Sequence, residues 1–325
     1  MPTIEDVAKE AGVSTATVSR VLNNSANVSE NTKLKVWKAI RKTGYTPKES
    51  AQVLARYKRT YKVAVCISER IQKLFQQDDI GQFYGVIIEA IKRYSNTCGL
   101  IPEIKLMETV ENEYDGYILI GADADLEMLK RFKSMKKPFV LVDHYIPGQA
   151  IDSIVSDGYD GAYYAVSYLM KKGLTRIVHI HASLRAYGFR NRYDGYLAAM
   201  EHAGLMPKTY EYDDIANNMS SVIEMMLRTY GLPHAIFASN DIAAIRIINE
   251  FKKRNVKVPE DISVIGFDDI AWAETFDPPL TTLRVFKDEM GAFACNRLRD
   301  LIMGIKPHPV RISLFTKFIK RKSSI

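Results

Sequence analysis

The sequence has little of what membrane, secreted or metal-binding proteins need. Its 325 residues contain no uninterrupted apolar run near the roughly 18 residues of a membrane span, and no basic segment followed by an apolar one opens the chain. The three cysteines, Cys66, Cys98 and Cys295, are far apart, with neither metal-ligand spacing nor the even count of a disulfide framework. We therefore expect a cytoplasmic protein with buried, reduced thiols and no membrane partner.

Signatures of catalysis are also missing. A nucleotide-binding fold would place a glycine-rich turn after its first strand, where this chain has Ser68-Glu69-Arg70, and no nucleophile elbow occurs. His179 and His181 lie two residues apart on a predicted strand, but a histidine pair without a third ligand indicates a metal site only weakly. We expect neither an enzyme nor a cofactor or metal.

Positive charge, by contrast, is present and concentrated at one end. The chain carries a net charge of +7; residues 1–60 hold 11 Lys and Arg against 5 Asp and Glu, and the rest hold 34 against 33. A basic excess confined to one end is typical of a segment that binds phosphates. The 47% hydrophobic content supports a substantial core, and the length allows more than one domain.

Two short helices joined by a glycine turn are predicted inside the basic end. Thr3 begins the first helix with a capping box, and Gly12 supplies the turn that ends it. Ser14 is a good N-cap for the second helix, which runs to Leu22. This order is that of a helix-turn-helix, whose second helix enters the DNA major groove.

The second helix has two chemically different faces. Its inner side is apolar, whereas small and hydroxylic residues and one arginine project outward: Thr15, Ala16, Ser19 and Arg20. Such a face can lie close to base edges, where arginine bonds guanine and a methyl group touches thymine. Taken alone, the pattern also fits an ordinary surface helix.

A third helix and a linker follow. The third helix is predicted between the N-cap Ser29 and Gly44, with Val36, Trp37 and Ile40 packed inward. Pro47 breaks the chain, and the next dozen residues read as one short amphipathic helix that would be marginal in water by itself.

From residue 62 onward, short apolar strands alternate with helices, which predicts parallel sheets covered on both faces. The strands are predicted at Val63–Ile67, Tyr117–Ile120, Phe139–Val142, Ser153–Val155, Arg176–Ile180, Ala235–Ala238 and Ser263–Phe267. The helices are predicted at Gln82–Tyr94, Leu126–Met135, Gly161–Lys172, Arg192–Ala203, Val222–Tyr230, Ile242–Asn255 and Lys287–Met303.

Polar residues follow three of these strands, at the carboxyl ends where ligands bind in open parallel sheets. They are Asp143-His144-Tyr145, Ser239-Asn240-Asp241, and Asp268-Asp269 with Trp272 close behind. Carboxylates and amides hold adjacent hydroxyl groups and an aromatic ring covers a sugar face, which is typical of a carbohydrate site. The alternatives are that Asn240 or Asp241 only caps the following helix, that Asp268 and Asp269 only shape a loop, and that Trp272 only packs in the core.

Two sets of motifs resemble the LacI/GalR family of bacterial transcription repressors. The first is the run from Thr3 to Ser14 together with the run from Thr17 to Asn23. The second set, which recurs in family order, is Arg192-Tyr193-Asp194-Gly195-Tyr196, Ser239-Asn240-Asp241, the run from Val258 to Asp269, and Pro278-Pro279-Leu280-Thr281-Thr282. The resemblance is strong over residues 3–54 and 154–285 and weak between them.

The resemblance implies an N-terminal all-α helix-turn-helix headpiece and an α/β core of two doubly wound parallel-sheet subdomains, as in periplasmic binding proteins. We expect the DNA-binding domain at 1–46, a hinge helix and linker at 47–61, and an effector-binding core at 62–325. The N-subdomain would comprise about 62–157 and 286–317, and the C-subdomain about 158–285 and 318–325. The helix at Lys287–Met303 would thus return to the first subdomain.

The resemblance also implies roles for individual residues. Base contacts fall on Thr15, Ala16 and Arg20, and phosphate contacts on Ser14, Thr17, Ser19, Asn23 and Tyr45. The minor-groove hinge falls on Ala51 and Leu54, of which the leucine would wedge between base steps. Effector contacts fall on Arg192, Asn240, Asp268, Asp143 and Trp272.

The chain departs from the family in one region. The family's Asn-Pro-Phe after the first strand is absent, and residues 101–107 run almost directly into Tyr114, leaving no room for a full helix. One pocket wall is therefore open to several interpretations: Phe83 or Tyr84 could line it, and Tyr187 or Phe189 could face it.

The function expected from all this is a sequence-specific DNA-binding repressor, released from a pseudo-palindromic operator by a small sugar in the core cleft. The alternatives are a non-sugar effector or corepressor, or a stand-alone sugar-binding protein. We expect a homodimer and not a tetramer, since the tail Lys320–Ile325 contains no heptad for a coiled coil.

Overall fold

The computed structural model describes residues 2–22, 28–45, 59–75, 81–214, 216, 218–305 and 308–325. The chain forms two compact units, residues 1–59 and residues 60–325. The predictions made for Asn23, Ala51 and Leu54 lie outside the described residues.

The first unit contains the expected helix-turn-helix. Its described helices are α1 (Ile4–Ala11), α2 (Thr15–Leu22) and α3 (Glu30–Thr43). The capping box of α1 is confirmed, because the Thr3 hydroxyl accepts from the Asp6 amide at 3.3 Å while the Asp6 carboxylate accepts from the Thr3 amide at 2.7 Å. Gly12 ends α1 at a φ of 66°, a left-handed conformation that favours glycine.

The headpiece core is closed by residues from all three helices. The buried side chains are Val7, Ala8, Val18, Val21, Val36, Ala39 and Ile40. The inward packing predicted for Trp37 is wrong, since this side chain is 46% exposed. Position 37 lies about 100° around the helix from 36, so the face of α3 that meets α1 consists of Val36, Ala39 and Ile40 instead.

The second unit is built on two parallel sheets. In the described part of the chain, the first sheet has the order β11-β5-β4-β3-β1-β2 and the second the order β7-β6-β8-β9, with every pairing parallel. The first-sheet strands are β1 (Tyr61–Ile67), β2 (Leu100–Leu106), β3 (Gly116–Ile120), β4 (Phe139–Val142), β5 (Ser153–Ser156) and β11 (Arg311–Leu314). The second-sheet strands are β6 (Ile177–His181), β7 (Lys208–Glu211), β8 (Ala235–Ala238) and β9 (Ser263–Ile265).

Helices cover both faces of each sheet, as the strand-helix alternation predicts. They are α4 (Glu69–Phe75), α5 (Val86–Thr97), α6 (Leu126–Ser134), α7 (Gly158–Lys171), α8 (Tyr187–His202), α9 (Met219–Tyr230), α10 (Asp241–Lys253), α11 (Ala271–Thr275) and α12 (Lys287–Met303). Along β1 the side chains alternate between two clusters: Val63 and Val65 pack on the α5 and α12 side, and Ala64 and Cys66 on the α6 side. All three cysteines are buried and free, which confirms that expectation.

The chain crosses from the first sheet to the second and returns. Helix α12 packs on α5 and on β3, β4 and β5 of the first sheet. Strand β12 (Lys317–Ile319) pairs antiparallel with β10 (Thr282–Arg284), and the Val264 amide donates to the Ser323 carbonyl at 2.7 Å, so the tail ends in the second subdomain. Arg297 of α12 and Asp152 before β5 form a buried ion pair at 2.5 Å that fixes the returning helix.

The structure differs from the sequence predictions around the first crossover. Helix α4 was not predicted. A single π turn at Gly81–Gly85 occupies the start of the helix expected from Gln82, so that α5 begins only at Val86. No helix separates β2 from β3 among the described residues, and this absence was predicted. The turn matters because it carries Phe83 and Tyr84 toward the cleft.

We predict that Gly195→Ala lowers the free energy of unfolding by about 1–3 kcal/mol, the cost of forcing extra volume into a packed interior. A Cβ at Gly195 would collide with the backbone carbonyl of Tyr159, where α7 and α8 cross. Urea denaturation measures the effect. Gly188→Ala on the same helix is the control, since its nearest neighbour would be the Arg192 guanidinium at 3.9 Å. Equal losses for both variants would refute the close approach.

Candidate functional site

The outer face of α2 is exposed, with its start fixed by a side-chain cap. The Ser14 hydroxyl accepts from the Thr17 amide at 3.1 Å and bonds the Thr17 hydroxyl at 2.9 Å. Thr15, Ala16 and Arg20 are exposed. The helix therefore presents all three predicted base readers on one exposed surface of the headpiece.

The predicted phosphate contacts near this surface differ in their exposure. Ser14 is exposed, whereas Thr17 and Ser19 are half-buried. Tyr45 is half-buried as well, with its ring packed against the headpiece core. Packing of this ring fixes the chain just beyond α3 against the helix-turn-helix.

The second unit contains a cleft between its subdomains with two adjoining cavities. The inner compartment, of about 90 Å³, lies at the carboxyl ends of the strands and is lined by Asp143, Arg192, Asn240 and Asp268, together with Arg70, Phe83, Tyr84, Ala122, Ala186, Gly188, Phe189, Asp214, Ile242 and Ile270. The outer compartment has about 900 Å³, within the usual range of small-molecule sites. Four predicted effector residues, from both subdomains, are thus brought together.

Arg192 is the centre of the inner compartment. Its guanidinium donates to the Asp268 carboxylate at 2.9 Å and to the Ser239 carbonyl, and it stacks 3.9 Å from the centre of the Phe267 ring. The side chain is only 4% exposed. Asn191, the preceding residue of α8, accepts from the amides of Gly158 and Tyr159 at 2.9 Å and so ties this helix to the start of α7.

Asp143 faces the arginine from the first subdomain. It follows β4 with a φ of 59° and accepts from the Tyr84 hydroxyl at 3.0 Å. Burial is the main cause that raises the pKa of Asp143 to about 7; the nearby Asp268 acts in the same direction, whereas Arg192 opposes the shift. Near neutral pH this carboxyl group can therefore either accept or donate a hydrogen bond.

The residues that follow β8 supply an amide group to the cavity, and those that follow β9 form a strained loop. The Asn240 side-chain oxygen accepts from the Ala243 amide at 2.8 Å, so this residue caps α10 while its amide nitrogen remains a donor for the cavity. Asp268 and Asp269 have φ values of 117° and 50°, in the left-handed region. The Lys287 ammonium, at the start of α12, donates to both of their carbonyls and holds this loop.

Trp272 is the predicted effector residue that the structure does not bring to the cavity. It lies on α11, is 38% exposed, and is not among the residues that line either compartment. Its predicted role has no geometric support. Tyr187 is likewise outside the lining and packs edge to face on Tyr145 at 5.5 Å.

Arg70 is a cleft residue that sequence reasoning did not find. It lines both compartments, and its guanidinium lies 2.9 Å from Asp123 of the first subdomain and 3.6 Å from Asp214 of the second. Asp123 also accepts from the Ser68 hydroxyl. Arg70 thus bridges the cleft, and its place on the short helix α4 gave no motif that would have pointed to it.

The His179 and His181 pair belongs to the interior of the second subdomain. Their Nδ1 atoms pair with the carbonyls of Phe237 and Ala182 at 2.8 and 2.9 Å. His179 also stacks on the Phe237 ring at 5.0 Å. Burial lowers the pKa of His179 to about 3, which keeps this ring neutral.

Comparisons with known proteins match both units. A sequence profile described as "Bacterial regulatory proteins, lacI family" matches residues 3–48, and one described as a periplasmic binding protein-like domain matches 166–324. The chain is 31% identical over 343 residues to the HTH-type transcriptional repressor PurR of Yersinia pestis, covering 99% of this chain and 97% of that protein. The PurR repressor of Aliivibrio salmonicida is 30% identical, with 99% of each chain covered. The chain belongs to the lacI family of bacterial regulatory proteins.

Solved structures of transcription regulators agree with this assignment over the length of the chain. A complex of the transcriptional regulator CelR with cellobiose has a TM-score of 0.74 and 27% identity, with 100% of both chains covered. The lac repressor dimer bound to operator and the anti-inducer ONPF has a TM-score of 0.70 and 25% identity, covering 100% of this chain and 99% of that one. The predicted family and fold class are confirmed.

Membership of the lacI family makes the chain a DNA-binding transcription regulator and not an enzyme. Within the residues that the structure describes, no helix is long and apolar enough to cross a bilayer.

Proposed function

We propose that this lacI-family chain is a cytoplasmic, homodimeric repressor that is released from a pseudo-palindromic operator when a small carbohydrate binds in the cleft. One combination of features carries the proposal. The same chain presents an exposed helix-turn-helix face and a cleft whose inner end gathers Asp143, Arg192, Asn240 and Asp268 from both subdomains.

The DNA-binding roles are proposed residue by residue. Thr15, Ala16 and Arg20 would read bases, since they are exposed on one face of a helix short enough to lie in the major groove. The proposed phosphate contacts are Ser14, Thr17, Ser19, Asn23 and Tyr45. The proposed minor-groove contacts of the hinge are Ala51 and Leu54.

A carbohydrate fits the inner compartment chemically. Carboxylate and amide groups pair with adjacent hydroxyls, and the Tyr84 hydroxyl already donates to Asp143 as a sugar hydroxyl would. The rings of Phe83 and Phe189 supply apolar surface in the same cavity. The related CelR structure, which contains cellobiose, supports this class of effector.

Release would follow from differential binding. The cleft is formed by both subdomains, so a ligand inside it favours one relative orientation over another. A sugar lowers operator affinity only by as much as it prefers the state that cannot bind DNA. The Asp268-Asp269 loop is the natural connection through which a bound ligand would change the orientation of the subdomains, because Lys287 joins its carbonyls to α12 of the other subdomain.

A second copy of the chain is the proposed partner. A pseudo-palindromic operator mirrors a two-fold protein, and each half-site needs one headpiece. Strand β2 lies at an edge of its sheet with Ile101 52% exposed and Ile104 45% exposed, and Val86 of α5 is exposed beside it. This apolar edge is a suitable surface for self-association.

The test is an operator selected from random-sequence DNA with the purified protein, followed by a ligand panel. We expect an inverted repeat to be selected, and one carbohydrate at 100 times its dissociation constant to add about 2.7 kcal/mol to the stability of the core. The same sugar should release the operator in an electrophoretic or anisotropy assay.

Asp268→Asn is the control for the effector side of this experiment. Because this variant also removes the charge partner of the buried Arg192, operator binding is measured well below its unfolding transition. Under those conditions it should bind the selected operator as the parent does but lose most of the sugar response. A DNA selection without any preferred sequence would refute the repressor, whereas a ligand that tightens the operator complex would show corepression instead of release.

A further inference from the structure

The inner compartment holds both of its arginines in ion pairs, and carboxylates outnumber arginines in the lining of the cleft. From this we infer that the effector is a carbohydrate without any phosphate or carboxylate group, and that the cleft rejects acidic derivatives of the same sugar. The inference rests on the proposed function, since it names the class of carbohydrate that this cleft accepts.

The two arginines of the inner compartment are already engaged. Arg192 is 4% exposed, held by Asp268 at 2.9 Å and by the Ser239 carbonyl, with its flat face on Phe267. Arg70 lies between Asp123 and Asp214, at 2.9 and 3.6 Å. A phosphate that approached either guanidinium would therefore meet a carboxylate that is already paired with it.

The outer compartment is acidic. Five carboxylates and two arginines line it, and the carboxylates include Glu211 and Asp214. Arg185 is the arginine that remains besides Arg70, and its side chain is exposed at the mouth, where water and salt screen its charge. An anion that enters would approach several like charges across a cavity with low-dielectric walls.

His144 adds a second, independent sign of an uncharged ligand. Its ring lines the outer compartment, is 4% exposed, and has an Nδ1 atom without a hydrogen-bond partner in the described structure. Burial lowers the pKa of His144 to about 4, so it is a neutral donor or acceptor near pH 7 and adds no positive charge. A hydroxyl group can pair with such an atom whether it donates or accepts, whereas a phosphate dianion can pair with it only when it donates.

The experiment is a calorimetric and thermal-shift panel on the full-length protein. Glucose, galactose, ribose and cellobiose are each measured beside a phosphorylated form and the corresponding sugar acid, at constant ionic strength. We expect at least one unmodified sugar to bind, and its acidic forms to bind at least about 100-fold more weakly.

A paired variant tests the cause. Asp123→Asn combined with Asp214→Asn removes two negative charges and frees Arg70, so affinity for the phosphorylated form should rise about tenfold. Glu211→Gln is the matched control, because it removes one charge from the same compartment without releasing Arg70. Asp214→Asn alone provides the same comparison should the double variant fail to fold.

Each outcome decides something. An acidic derivative that binds more tightly than its parent sugar overturns the inference but leaves the proposed repressor intact. A folded double variant that rejects the phosphorylated form as strongly as the parent protein does also overturns it. Absence of binding across the whole panel overturns the carbohydrate effector itself, and the inference with it.

Discussion

Arg192→Met is expected to lower the free energy of unfolding of the core by about 3–5 kcal/mol, the usual cost of leaving a buried charge without its partner. Methionine retains much of the side-chain volume, so lost packing contributes little. The Asp268 carboxylate, 10% exposed, would lose its charge partner, and it lies close enough to Asp143 and Asp241 to raise their pKa values. The carboxyl groups at the inner end of the cleft would then have no buried guanidinium to stabilise them.

Urea denaturation of the full-length protein measures this loss, and two further variants identify its origin. Arg192→Met combined with Asp268→Asn should recover most of the stability, because it removes the orphaned charge. Arg93→Met is the control, because it breaks an ion pair of 2.8 Å to Asp288 in which the arginine side chain is 60% exposed. This variant should lower the free energy of unfolding by less than about 1 kcal/mol. If the double variant is no more stable than Arg192→Met, the stacking on Phe267 and not the charge is what matters.

Arg20→Ala is expected to weaken binding to the selected operator by about 1–3 kcal/mol for each half-site, and so by roughly twice that for a dimer. The arginine is exposed near the end of α2, four residues after Ala16, and a bidentate bond to guanine is its most specific use. Since such a bond carries sequence information, binding to random DNA should change little. Fluorescence anisotropy on both DNAs at two salt concentrations measures the difference.

Lys38→Ala is the matched control for this prediction. Lys38 is an exposed cation of the same headpiece, on α3 instead of α2. Its loss should weaken operator and random DNA alike, if it has any effect, and reduce the dependence on salt. Equal losses on both DNAs for Arg20→Ala would show that Arg20 contacts phosphate and does not read bases.

Sequence patterns predicted the parts of the fold that local chemistry determines. The boundaries of β4, β8 and α12 agree with the structure, because apolar runs of strand length and a helical period are visible in single segments. Helix α4 was missed, since seven residues are too few to show a period. Trp37 was predicted to pack inward with Val36 and Ile40, although its helical position leaves it 46% exposed.

The residues that line the cleft could be predicted in part from the sequence, but the ion pairs between them could not. Strand ends and family motifs brought Asp143, Arg192, Asn240 and Asp268 together, and the geometry agrees with that arrangement. No motif could show that Arg192 is already paired, or that Arg70 spans the cleft between Asp123 and Asp214. Those facts depend on contacts between residues dozens of positions apart, which no local pattern contains.

The return of the chain to the first subdomain has a consequence for synthesis. The register that places Ser153 beside Arg311 joins a strand made midway through translation to one made near its end. At 5–20 residues per second, the β5 edge would wait roughly ten to thirty seconds for β11. During that interval Asp152 also lacks Arg297. The subdomain that is translated first is therefore completed only when translation is nearly over, and its open sheet edge is the surface on the nascent chain that a chaperone would have to protect.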